Sequence, residues 1–358
     1  MKKRLWAIPL VPLYALGVWI HRFLTRAKPS SDCAPTAVTI GIGNLHVGGT
    51  GKTPTSLFIL DLLSSVLGTN TVGYLSRGYG RTTQGFQWVD RVKSTANGVG
   101  DEALMVSKKR PQNPVAVCEN RTEGLRHMLA TYALHAIVLD DVFQHRPLLP
   151  TFSLLLCPFD RPWWLDSLLP VGNLRESPRA ARRAHCLLVT GTPSHLTMEE
   201  LHDFSVRLKK SSQTQLPVFF STWAYDQPYL VGGQGIGYSS TLKETQSNSS
   251  LICATGIAHP KGLHDYLKQS GRTVHPVVLS DHAPFDFKTI ELVAHLAETH
   301  HSRSVIITEK DWARLGRKPA RWNAINLYVQ PIQLHFLEGP EGGQEVFASY
   351  LCSHAGLL

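Results

Sequence analysis

The chain has 358 residues, 43% of them apolar and 18% charged, and its 36 Lys and Arg against 27 Asp and Glu give a formal charge of +9. This composition excludes a disordered chain, and the length exceeds one small module. The positive surplus points to an anionic partner such as phosphate, nucleic acid or an acidic membrane surface, while six scattered cysteines without a C-x-x-C pair exclude a disulfide framework and a zinc site and read as reduced, cytosolic thiols.

Residues 5–20 (LWAIPLVPLYALGVWI) form an uncharged run of sixteen, preceded by Lys2, Lys3 and Arg4 and followed by His21, Arg22, Arg26 and Lys28. A spanning helix needs about 20 such residues. A signal peptide would share the basic start and the apolar length, but no small-x-small cleavage site follows, and a phosphate loop begins within thirty residues. Trp6, Tyr14 and Trp19 lie among the apolar residues. Segment 1–28 is therefore expected to be a helix lying among anionic headgroups. The competing expectation is a helix folded back on the core, with Pro9 and Pro12 allowing the bend.

From residue 37 onward, short apolar runs alternate with helical patterns, the signature of a parallel α/β sheet. Strands are predicted at 37–42, 71–75, 114–118, 136–139, 153–157 and 186–190, with helices at 53–66, 102–109, 122–132 and 198–209. The β-like runs 217–224 and 228–232 lead into GGQGIGYSSTLKETQSNSS (232–250), which reads as a hairpin followed by a flexible linker. A second α/β unit follows, with strands at 251–254, 273–279, 304–307 and 325–329 and helices at 261–269, 288–299 and 345–354. The expected division is an N-terminal membrane-associated helix (1–28), a P-loop core (29–215), a hairpin and linker (216–250) and a smaller C-terminal α/β lobe (251–358).

The first strand runs into GNLHVGGTGKT (43–53), and a helical pattern starts at once. In a P-loop, glycines such as Gly48, Gly49 and Gly51 let the backbone N–H groups, including that of Thr50, wrap phosphate oxygens. Lys52 would reach the β- and γ-phosphates, and Thr53 is placed for Mg²⁺. The strict pattern wants Gly at position 46, where this chain has His46. A P-loop also needs a carboxylate for Mg²⁺ at the tip of a neighbouring strand, and the run AIVLDD (136–141) offers Asp140 and Asp141. Two adjacent acids at the end of a buried strand would be costly without a cation.

The ordered set GNLHVGGTGKTP, SRGYGR (76–81), GDE (100–102), DDVFQH (140–145), LPVGNLRE (169–176), ATGIAHP (254–260), DHAPF (281–285) and TEKD (308–311) resembles the tetraacyldisaccharide 4′-kinase family, which makes lipid A at the inner membrane of Gram-negative bacteria. Val142, Ala103 and His185 depart from that family's usual residues. The resemblance implies transfer of the ATP γ-phosphate to the 4′-hydroxyl of a tetraacylated disaccharide 1-phosphate, with ATP and Mg²⁺ required. The expected partners are the lipid A disaccharide precursor and the cytoplasmic face of the inner membrane, and no nucleic acid. It also favours Asp101 as the base for the sugar hydroxyl, with His282 as its partner, over a bland role for Asp101 as a helix cap. Arg77 and Arg81, at the carboxyl end of a strand, are candidates to grip phosphate. Glu176, with Arg175, Gln144 and His145, is a candidate for substrate support. TEKD fits a Thr-x-x-Asp helix start, a structural role. The rival from another class is a membrane-associated partitioning-type ATPase switch, whose signature lysine would stand where this chain has Val47.

Overall fold

The computed structural model describes residues 5–12, 14, 17, 37–145, 147–231 and 250–357. The strands in chain order are β1 (Val38–Asn44), β2 (Val72–Ser76), β3 (Gln87–Trp88), β4 (Val115–Val117), β5 (Ala136–Leu139), β6 (Phe152–Pro158), β7 (Cys186–Thr190), β8 (Val218–Tyr225), β9 (Tyr229–Leu230), β10 (Ser250–Thr255), β11 (Thr273–Val278), β12 (Ser304–Thr308), β13 (Asn326–Gln330) and β14 (Ile332–Leu337). Among the described residues they form a nine-stranded sheet ordered β14-β8-β7-β6-β1-β5-β2-β4-β3 and a five-stranded sheet ordered β11-β10-β12-β13-β9. Both are parallel except at three pairings, β14 with β8, β3 with β4 and β9 with β13. The helices used below are α1 (Lys52–Leu67), α2 (Asp101–Lys109), α3 (Glu309–Leu315) and α4 (Gln344–Ala355).

β1 lies between β5 and β6. A strand in mid-sheet covered on both faces must be apolar along its length, and Ile40 and Ile42 are fully buried with Leu57, Leu60 and Leu63 of α1 in one cluster. In the second sheet, Ile252, Val305 and Leu327 share a separate core with Val293 and Trp322. The five described cysteines are buried and unpaired.

Two expectations fail. The expected hairpin-and-linker unit 216–250 is not one unit where it is described: β8 stays in the large sheet, while β9 pairs with β13 at the edge of the small one. At the parting point the Gln330 side-chain amide donates to the Asp226 carbonyl at 2.6 Å, fixing the turn-out. The expected lobe 251–358 is also not contiguous. β14 pairs antiparallel with β8 from Ile332 opposite Tyr225 to Leu337 opposite Phe220, and α4 brings fully buried Phe347 and Leu351 into the large-sheet core. An aromatic cluster accounts for the return, with Phe347 centred 4.6 Å from Phe336 and 5.2 Å from Phe219. The expected linker over 232–249 lies outside the described residues.

At the N-terminus, Leu5–Leu10 forms a 3₁₀ turn containing Pro9, and the Tyr14 hydroxyl donates to the Arg175 carbonyl at 3.1 Å. Much of the expected helix 1–28 lies outside the described residues. Among the described residues no helix is long and apolar enough to cross a membrane.

If α4 is part of this core, Phe347→Ala leaves a cavity between Phe219 and Phe336 and should destabilise the fold by about 3–5 kcal/mol. Thermal and denaturant unfolding measure this, and an unchanged transition would place α4 outside the core.

Candidate active site

The phosphate loop spans the gap between β1 and α1. Gly51 precedes the helix at φ 83°, and a Cβ there would lie 2.1 Å from the Trp223 ring, so both backbone and packing demand glycine. The loop is held from outside: Thr190 donates to the Thr50 carbonyl at 2.9 Å, Asn44 donates to the Thr50 hydroxyl at 2.6 Å, and Arg161 donates to the Gly49 carbonyl at 2.6 Å. The first N–H groups of α1 have no intrahelical acceptor, which makes its start an anion site. His46, in the place of the missing glycine, is wholly buried, bridges to Leu174 and sits 3.6 Å from Asp166. Burial lowers its imidazole to about 4, so it is a neutral wedge under the loop.

β5 runs parallel beside β1, with Leu139 opposite Gly41, so the acids that follow β5 emerge next to the loop. Lys52 Nζ lies 3.5 Å from Asp141 Oδ1. Asp140 is buried, its Oδ2 accepting from the Tyr74 hydroxyl at 2.9 Å and its Oδ1 from the Asp141 N–H at 3.0 Å. Burial pushes the Asp140 carboxyl up to about 6, with the Glu102 carboxylate adding to the rise and Lys52 opposing it. Asp141 is only half-buried, and Lys52 and Arg175 outweigh its partial desolvation and hold it low. A buried carboxyl pushed up in this way, beside a second carboxylate and the buried Thr53, is a hard-oxygen set that suits Mg²⁺. Among the described residues no three His, Cys, Asp or Glu side chains gather to hold a metal by themselves. An ion there would need phosphate and water oxygens as well, which is how Mg²⁺ is usually held.

The structure joins Asp101 and His282 across 181 residues, with Nδ1 of His282 3.0 Å from Asp101 Oδ2. Asp101 is the first residue of α2, and its Oδ1 accepts from the Glu102 N–H at 2.9 Å. Gly100 before it has φ 87°, and a Cβ there would lie 3.1 Å from Gly78, so the SRGYGR turn packs directly on the start of α2. His282 follows β11 at φ 62° and leans on the Tyr79 ring, 5.1 Å between centroids. Burial alone would raise the Asp101 carboxyl. The His282 hydrogen bond and the charges of Lys310 and Arg314 overcome it and keep the group below the usual carboxylate range.

The candidates for gripping substrate separate. Arg81 is not available: its side chain is 2% exposed and bound to Glu119 at 2.5 Å and to the Gly85 carbonyl at 2.6 Å, so it closes the SRGYGR turn. Glu176 is buried and paired with Arg183 at 3.1 Å, a tie within its own loop. Arg77 is exposed beside the site. Arg175 reaches Asp141 at 3.3 Å and Gln144 at 3.5 Å, which makes it a member of the acid cluster. TEKD divides. Thr308 and Asp311 form the expected capping box, but Lys310 turns to Glu102 and His282, contacts that the motif's spacing gives no means of finding.

An ATPase switch would need only the loop and its acids. Here a carboxylate–imidazole pair assembled from both sheets adjoins them, and the class is a P-loop kinase. The model of the family described as Tetraacyldisaccharide-1-P 4'-kinase matches residues 3–351. Tetraacyldisaccharide 4'-kinases of Phocaeicola vulgatus (30% identical, covering 98% of this chain and 94% of that one) and Flavobacterium johnsoniae (36% identical, 92% of each) are similar along nearly the whole length. The chain belongs to this kinase family. In fold it is similar to LpxK from Aquifex aeolicus, solved in complex with ATP, at a TM-score of 0.70 and 24% identity, covering 98% of this chain and 99% of that one.

The raised Asp140 carboxyl has a consequence for stability. Its folded-state pKa lies above the unfolded one, so the penalty is absent below about 3.8, grows as pH rises and is complete above about 6. Asp140→Asn, with the Tyr74 hydroxyl turning to accept, should therefore stabilise the ligand-free protein near neutral pH by on the order of 1 kcal/mol. The same variant should lose the extra thermal stability that Mg²⁺ with nucleotide gives the wild type. A variant less stable at neutral pH but equally responsive to Mg²⁺ would remove Asp140 from the metal set.

Proposed function

We propose that the protein transfers the γ-phosphate of ATP to the 4′-hydroxyl of a tetraacyldisaccharide 1-phosphate at a membrane surface, using Asp101 as the base. The observation that carries the base assignment is the 3.0 Å contact between Asp101 and His282, at the start of a helix whose next residue, Glu102, is felt electrostatically at Asp140. A sugar hydroxyl is a poor nucleophile at neutral pH, and a carboxylate kept ionised and held in place accepts its proton as the new O–P bond forms and the bond to the departing ADP breaks. Lys52 and Arg175 both lie on Asp141 and supply positive charge where the phosphoryl group passes. When bound, Mg²⁺ neutralises charge on the β- and γ-phosphates, and Thr53, Asp140 and Asp141 are the residues that would hold it. Exposed Arg77 is free to meet the acceptor's own phosphate. The ATP in the Aquifex aeolicus relative supports the choice of nucleotide.

Segment 1–28 would place the enzyme at the cytoplasmic face of an anionic inner membrane. Its basic flanks and aromatic residues suit headgroups, and the Tyr14 contact joins it to the loop that carries Arg175.

With radiolabelled ATP and the disaccharide 1-phosphate, Asp101→Ala and His282→Ala should each lower kcat by roughly 10² to 10⁴ with little change in ATP affinity. The double variant should be hardly worse than the poorer single one. Independent, additive losses would break the pair while leaving the kinase assignment intact, and ATP turnover without acceptor would favour the switch.

Removing residues 1–28 should shift the protein toward the soluble fraction and raise the apparent KM for micellar acceptor more than it lowers kcat. Unchanged fractionation and kinetics would make the segment a packing element.

A further inference from the structure

We propose that Lys310 is a positioning residue that locks His282 as a neutral imidazole with its proton on Nδ1, so that His282 orients Asp101 and does not take the substrate's proton from it. The inference rests on the reading of Asp101 as the base and deepens it.

His282 Nδ1 lies 3.0 Å from Asp101 Oδ2, and Nε2 lies 3.2 Å from Lys310 Nζ. An ammonium has three donors and no acceptor. Facing Lys310, Nε2 must therefore offer its lone pair, and the ring proton is left on Nδ1, pointing at the carboxylate. The opposite tautomer would put N–H against N–H at Lys310 and leave Nδ1 without a proton to donate to Asp101. Its one other acceptor, Asp281, is 3.8 Å from Nε2, beyond hydrogen-bond reach.

The lysine is kept charged by its surroundings. Glu102 lies at 3.1 Å and Asp281 at 3.9 Å. Burial alone would lower its ammonium, but Glu102, Asp101 and Asp281 outweigh that and raise it. The charged and titratable groups around His282 are thus Asp101 from α2, Lys310 from α3 with Glu102 behind it, Arg314 from α3 at 3.4 Å from Asp101, Asp281 beside it in the chain and the Tyr79 ring.

A second proton on the imidazole would have to displace Lys310 from Nε2. The hydroxyl proton accordingly moves to Asp101 and stays there until it is released to water. Without the lysine, the Asp101 and Asp281 carboxylates would flank the ring with no cation at Nε2. With no donor at Nε2 the imidazole is open to a second proton there, and an imidazolium at 3.0 Å would make Asp101 a weaker base.

The test uses the full-length protein labelled with ¹⁵N-histidine, the His282 signals being assigned by their loss in His282→Gln. The expected wild-type spectrum near neutral pH shows a protonated Nδ1 and an unprotonated, hydrogen-bond-accepting Nε2. A protonated Nε2 there, as either the other tautomer or the imidazolium, would overturn the proposal without any variant. Lys310→Met should convert the ring to imidazolium at the same pH. Its kcat should fall about tenfold at neutral pH and recover toward alkaline pH, an upward shift of the acidic limb with the KM for ATP unchanged. A merely structural lysine predicts a loss of rate equal at every pH and an unaltered ring, and that result would also overturn it. Failure of the underlying reading looks different: Asp101→Asn would keep its rate while the spectra still reported the Nδ1 proton.

Discussion

The Asp101 carboxylate is buried, and a buried charge is tolerated only where partners meet it. None of its cationic partners is near it in sequence. His282 and Arg314 contact it directly and Lys310 lies behind His282, all from the stretch that builds the second sheet. On the same seam Lys109 meets Glu309 at 2.8 Å and Lys310 meets Glu102 at 3.1 Å. Helices α2 and α3 therefore face each other across a line of opposite charges, and the site's geometry is set by how the two sheets meet.

At the other end of the site the balance is reversed. Asp140 is buried with a hydroxyl and an N–H but, among the described residues, no cation within bonding distance, and Lys52 goes to Asp141 instead. The fold bears an ionised group it does not fully satisfy, as expected where a divalent ion is to be received. Asp141, in a left-handed backbone conformation at φ 47°, sits between Lys52 and Arg175 and links the phosphate loop to the 169–176 loop. Backbone strain of this kind persists where surrounding structure over-determines the residue, and here three segments converge on it.

Much of this was legible in the sequence because local signals carried it. The apolar run of β1 followed by glycines and Lys52-Thr53, and the apolar run ending in two acids, each announce their role within a dozen residues, and parallel pairing then sets them side by side. The Asp101–His282 pairing came from resemblance to a family. What was hidden depends on distant partners. Arg81 has the same local surroundings as Arg77, and only Glu119, 38 residues on, decides that it is structural. Ile332, Leu334 and Phe336 alternate with Gln333 and His335 as a strand should, but alternation does not name the sheet, and Phe219 with Phe347 settles it. The Thr-x-x-Asp pattern reports the cap and is silent about the lysine inside it.

The division of the site between two sheets is itself a chemical constraint. A phosphate loop and a base on one rigid sheet would confront bound ATP with water and base together, and hydrolysis would compete with transfer. Here the loop and its acids belong to the large sheet, whereas the groups that hold Asp101 ionised and oriented come from beyond β11 and β12. The chain passes between the sheets twice, after β8 and after β13, and the two passages are tied where Gln330 donates to the Asp226 and Pro331 carbonyls at 2.6 and 3.0 Å. With Asp101 as the proposed base, competence requires the α2–α3 seam to be made, and the strength of that seam would bear on the rate as directly as the identity of the base.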